Sequence, residues 1–143
     1  MKERICAALG AAGGIIAAAF GGWDTGLQGL ILLMMVDYTT GLMVAGIFHA
    51  SPKTPNGRLE SRAGWKGLCR KFTTLLMVLL ASRMDLILGI CYVRDAVIIG
   101  LCANESLSIL ENAGLMGLPI PKALENAIEL LTQRSEQEDT GNG

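Results

Sequence analysis

At 143 residues the chain has the length of one domain, and 51% apolar against 17% charged residues, with a mean hydropathy of +0.44, fits a small membrane protein better than a soluble one. The formal net charge of -1 conceals a basic stretch at 49–71 and an acidic one after Pro121; blocks this short are solvated faces, which argues against a nucleic-acid partner. Four widely spaced cysteines (Cys6, Cys69, Cys91, Cys102) without a CxxC pair, and His49 as the only histidine, argue against a disulfide framework or a metal centre. No HExxH, GxSxG or Walker-type loop is present, so no catalytic residue and no cofactor is expected.

Residues 5–23 carry no charge and have the length of a membrane-crossing helix. A cleaved signal peptide is the competing reading, given Lys2 and Arg4 in front. Gly10, Gly14, Ala18 and Gly22 recur every four residues, which places small residues on one face where helix backbones could approach closely. After a short turn at 23–26, residues 27–48 read as a second span interrupted by Asp37. Two prolines and an Asn-Gly then open a loop. Farther along, Arg58, Arg62, Lys66 and Arg70 fall at intervals of four, with Lys71 beside them and Trp65, Leu68 and Phe72 at another helical spacing. This predicts a short amphipathic helix on an anionic membrane surface, within a basic cytoplasmic loop at 49–71.

Residues 72–112 have room for two spans, about 72–91 and 94–112, with Arg83 and Asp85 interrupting the first. A Gly/Pro break at 117–121 separates them from a terminal helix whose Leu124, Ile128 and Leu131 form a stripe for a partner or the membrane surface. The expected fold is therefore an all-α integral membrane protein. It has three to four transmembrane helices, with four favoured, within 1–115, and a cytoplasmic amphipathic helix and acidic tail at 116–143. Lysine and arginine are concentrated at the N-terminus and in the 49–71 loop and absent from the turn at 23–26, which predicts both termini in the cytoplasm.

Counted inward from the expected interfaces, Asp37, Arg83 and Glu105 lie near mid-depth, where a charge costs about 2.5 to 3.5 kcal/mol and needs a partner. The economical expectation is that Arg83 bridges to Asp37 or Glu105, within one subunit or between two. On a helical projection Asn104, Ser108 and Glu111 fall within about 60 degrees, and Glu105 and Asn112 widen the stripe to roughly 120 degrees. Such a span has a wet side and an oily side. In an oligomer the wet sides could converge on a common interior, and a polar seam in a closed bundle would explain the pattern equally well.

Four stretches carry a family resemblance: Asp37-Tyr38-x-Thr40-Gly41; Ser61-x-x-Gly64-x-Lys66-Gly67 followed by Arg70-Lys71; Ala103-Asn104-Glu105 with Ser108 to Asn112; and Gly117-x-Pro119-x-Pro121-x-x-Leu124. Together they span roughly residues 27–135 and resemble the toxin-secretion and phage-lysis holins of phages of Gram-positive bacteria. The resemblance implies a homo-oligomer in the bacterial cytoplasmic membrane that forms a lesion at a set time and lets an endolysin, or a toxin, pass. Asp37, Arg83, Glu105 and Glu111 would stabilise the polar faces lining the closed oligomer or the open hole. A small ion or proton channel and a non-conducting membrane scaffold are the alternatives that the charged spans leave open.

Overall fold

The computed structural model describes residues 1–141; the last two positions of the expected acidic tail, 142 and 143, lie outside them. Five helices follow one another and the described residues contain no strand: α1 (Lys2–Ala19), α2 (Thr25–Gly46), α3 (Ser61–Leu88), α4 (Val93–Leu115) and α5 (Lys122–Gly141). Their ends have local causes. Asp24 caps α2, its carboxylate accepting the Leu27 N–H at 2.9 Å. Gly89, in the left-handed region at φ 67°, closes α3, and the Asp85 carboxylate accepts the first backbone N–H groups of α4, from Val93 and Arg94, at 3.0 Å each.

α3 corrects one expectation. The basic segment and the following span form one continuous helix of 28 residues, about 42 Å long, and there is no separate interfacial helix. The loop signals at Pro52, Pro55 and Asn56-Gly57 end before Ser61, and no proline interrupts the residues beyond. Arg58 precedes the helix, while Arg62, Lys66, Arg70 and Lys71 lie in its first three turns. Among the described residues, α2 is the one helix long and apolar enough to cross a membrane by length and composition alone.

α4 is the hub of the molecule and packs against α2, α3 and α5, whereas α2 and α3 touch sparingly. Gly26 faces Ile98, and Gly41 faces Asn112, so α2 and α4 run in the same direction. α3 and α5 run opposite to them, because Tyr38 meets Gly64 and Gly67, and Gly100 meets Ser135. A core of Leu27, Leu30, Met34, Val78 and Ile98 fills the half of the bundle nearest the α3–α4 turn. Burying each such side chain contributes about 1.5 to 3 kcal/mol relative to leaving it in water.

Two further expectations meet a different arrangement. The stripe on α5 packs on α4 of its own chain, with Ile128 buried and Leu124 exposed. α1 buries none of its residues and packs only against α3. Its small-residue stripe meets nothing among the described residues: a Cβ added at Gly10 or Gly14 would have open space around it, and Gly22 lies past the helix end. Large apolar side chains stand exposed along α1, α2 and α3, among them Leu9, Ile15, Met35, Trp65, Phe72 and Leu80. A patch of that extent on a helical protein marks a surface covered by lipid or by another chain.

Candidate functional site

Three helices meet at one ammonium group. Lys71 Nζ donates to Asp37 Oδ2 at 2.6 Å and to Glu105 Oε2 at 2.5 Å, joining α3 to both α2 and α4. The register of the helices sets this meeting. Measured from the shared end of the bundle, Asp37 lies nine residues before the end of α2, Lys71 ten residues after the start of α3, and Glu105 ten before the end of α4. At the helical rise all three sit about 14 to 15 Å deep.

The rest of the cluster satisfies the two carboxylates. Asn112 Nδ2 donates to Asp37 Oδ1 at 3.1 Å, to the Asp37 carbonyl at 3.3 Å and to Thr40 Oγ1 at 2.9 Å. Asp37, Glu105 and Asn112 are buried, and no buried side-chain nitrogen or oxygen among the described residues lacks a partner. Two carboxylates around one ammonium leave a formal charge of -1 on side chains that are largely buried. Such a cluster holds only while every member stays paired.

Tyr38, next to Asp37, locks the α2–α3 contact. Its hydroxyl donates to the Gly64 carbonyl at 3.2 Å, and its ring lies 3.6 Å from where a Cβ on Gly67 would be. Small residues at 64 and 67 therefore let α3 lie close enough for Lys71 to reach across, where a side chain larger than alanine would meet Tyr38. Asp37, Lys71, Glu105 and Asn112 themselves form part of the wall of a cavity of about 340 Å³, which Lys53, Arg70, Asn104, Ser108 and Glu111 also line. Asn104 and Glu111 are exposed on its rim. The wet stripe expected on α4 thus faces this cavity as a whole, with Glu105 and Asn112 also joining the ionic cluster.

Arg83 does not bridge Asp37 or Glu105, and Lys71, expected at the membrane surface, takes that part. Because α3 begins at Ser61, Arg83 lies 22 residues from its start, about 33 Å along and far below the carboxylates. It is exposed and donates to the Ala19 carbonyl at 2.7 Å, at the C-terminus of α1. Asp85 is a capping residue of α4. Nothing in the sequence short of the α3 start could have moved the partner from Arg83 to Lys71.

A second polar knot closes the opposite end. Arg94 donates to the Phe20 carbonyl at 2.5 Å, to the Gly22 carbonyl at 3.1 Å and through both terminal nitrogens to Asp24, the shorter bond being 2.6 Å. Arg94 hydrogen bonding holds the Asp24 carboxyl below its ordinary range, against the opposing pull of burial, with the Leu27 N–H assisting. In the sequence Arg94 falls in the short turn expected near 92–95 between two spans. Its signal was present in the pair Asp24 and Arg94 at adjacent ends of two apolar runs.

A small helical chain with exposed apolar helix faces and an ionic cluster midway along three packed helices is of the class of helical membrane proteins. The profile of the bacteriophage holin family matches residues 14–133, and the chain belongs to that family. An uncharacterized protein of Listeria monocytogenes is 36% identical over 128 residues, covering 89% of this chain and 86% of its own. One of Halalkalibacterium halodurans is 38% identical over 127 residues, covering 82% and 88%. A probable holin of Bacillus phage phi105 is 29% identical over 119 residues, covering 80% and 82%. No solved structure matches the chain.

Three of the four stretches that carry the resemblance converge on the cluster: Asp37, Tyr38, Thr40 and Gly41 from the first, Gly64, Gly67 and Lys71 from the second, Glu105 and Asn112 from the third. The fourth, at 117–121, turns the chain from α4 into α5.

Proposed function

We propose that this chain is a working holin: it accumulates in the cytoplasmic membrane as a multi-pass helical protein, self-associates, and opens a lesion that admits an endolysin, or a toxin, to the far side. The observation that carries the reading is the Lys71 cluster, a charged knot buried midway along helices whose outer faces are apolar. In hydrocarbon such a knot must be satisfied within the protein, so the closed protein keeps its members paired between α2, α3 and α4. Where helices separate around a water-filled lesion, water hydrates the same carboxylates and the ammonium. The polar side of α4, with Asn104, Ser108 and Glu111 already facing a cavity, then forms part of the wall. Closed and open arrangements thereby differ by much less than the gross strength of the ion pairs.

Anionic headgroups would attract Arg58, Arg62 and Lys66 at the cytoplasmic end, which would put both termini on that side. The chain would act without catalysis or cofactor. Expression in a bacterium with and without a cytoplasmic endolysin tests the reading. Abrupt, endolysin-dependent loss of culture density with release of a folded cytoplasmic reporter is the expected outcome. Slow depolarisation with the reporter retained would replace the holin by a small ion channel, and no effect would favour a scaffold.

A further inference from the structure

The seating of α5 conflicts with a bilayer around α4. α5 lies antiparallel along α4: a Cβ on Gly100 would stand 3.1 Å from Ser135 Oγ, and Arg134 and Glu138 share a crevice with Tyr92, Asp95 and Ala96 near the start of α4. From Lys122 to that crevice, α5 covers most of the length of its neighbour. Yet α5 carries Lys122, Glu125, Glu129, Arg134, Glu136, Glu138 and Asp139, and buries only Ile128. A helix so charged cannot share the hydrocarbon with the span it lies on.

Only one of two arrangements is then open to the pair: α5 seated with α4 outside hydrocarbon, or α4 spanning with α5 away from it. We propose that α5 is a displaceable cover, seated along α4 before insertion and swung off at the Gly117–Pro121 break when α4 enters the bilayer. This rests on the reading that α4 crosses a membrane. The break suits a hinge, since Gly117 is in the left-handed region at φ 75° and Pro119 and Pro121 keep the two helices from fusing. Release bares the face of α4 holding Ala96, Gly100 and Ala103, which fall within about 60 degrees of one another. Small residues on one face allow the close approach of another membrane helix. The cover therefore controls both insertion and what α4 can pack against.

The test uses the full chain with Cys6, Cys69, Cys91 and Cys102 replaced by alanine. With Ser135→Cys added, a water-soluble maleimide should label slowly in vesicle-free protein and more than about ten times faster once vesicles of phosphatidylethanolamine and phosphatidylglycerol are bound. With Gly100→Cys present as well, oxidation should tie α5 to α4 and keep dye-loaded vesicles sealed, while reduction should restore dye release. Labelling unchanged by vesicles, failure of the pair to oxidise before vesicles are added, or dye release from the oxidised protein equal to a clear release from the reduced protein would each overturn the proposal. If the reduced protein leaves vesicles sealed while Ser135→Cys still becomes reactive, the cover stands and the holin reading falls.

Discussion

Replacing Lys71 with methionine removes the one positive charge between Asp37 and Glu105 and keeps most of the side-chain volume. The two carboxylate oxygens that it bridges, at 2.6 and 2.5 Å from Nζ, are about 5 Å apart at most. At an effective dielectric constant of about 20, two unit negative charges at that separation repel by about 3 kcal/mol. The Lys71 side chain is only 16% exposed, so screening by solvent relieves little of this. Lys71→Met should therefore destabilise the folded protein in mild detergent by about 3 kcal/mol, read from denaturant titration of its helical circular dichroism. Adding Glu105→Gln, which removes one repelling charge, should recover most of the loss. A double-mutant cycle would then give strong coupling between the two positions. Costs that add to within about 0.5 kcal/mol would show that the ammonium does not mediate between these carboxylates, and the reasoning would fail.

Asp37→Asn should cost more than Glu105→Gln in the same titration, because Asp37 also accepts from Asn112 whereas Glu105 has Lys71 as its one hydrogen-bonding partner among the described side chains. Gly67→Ala should be tolerated, since a Cβ there meets Tyr38 at an ordinary 3.6 Å, while Gly67→Leu should push α3 away and cost about 2 kcal/mol by overpacking. At the other end, Arg94→Ala should cost about 3 kcal/mol and free α1, seen as faster proteolysis within residues 17–24. Because the Asp24 carboxyl is held below its ordinary 3.8, its contribution is fully present above that pH and is lost as pH falls through the lower folded value. The same proteolysis should thus accelerate in strong acid in the wild type and change little with pH in Asp24→Asn. Half of that side chain is exposed, so added salt should shrink the difference.

Much of this was legible in the sequence because the signals were local. The second span at 27–48 matches α2 at Thr25–Gly46, and the polar stripe of α4 follows from helical periodicity alone. The need of Asp37 and Glu105 for a basic partner followed from the cost of a charge in hydrocarbon. Which base serves them did not, because it depends on the depth of α3, and that depth is fixed by a helix start at Ser61 lying inside what reads as a basic loop. An error of eleven residues in where a helix begins moves a side chain about 16 Å along its axis, enough to exchange Arg83 for Lys71. The seating of α5 was equally hidden. Its stripe announces a partner, and only the fold-back at 117–121 makes that partner α4.

Arginine keeps the charge of Lys71 and can still bridge two carboxylates, whereas methionine keeps only the shape. The most direct test of the central claim is the onset of endolysin-dependent lysis in cells expressing the wild type, Lys71→Arg and Lys71→Met at matched membrane levels. If the Lys71 cluster holds the closed state, lysis begins at a clearly shifted time in Lys71→Met and near the wild-type time in Lys71→Arg. Identical onset in all three would mean that the cluster does not govern the passage from closed protein to lesion.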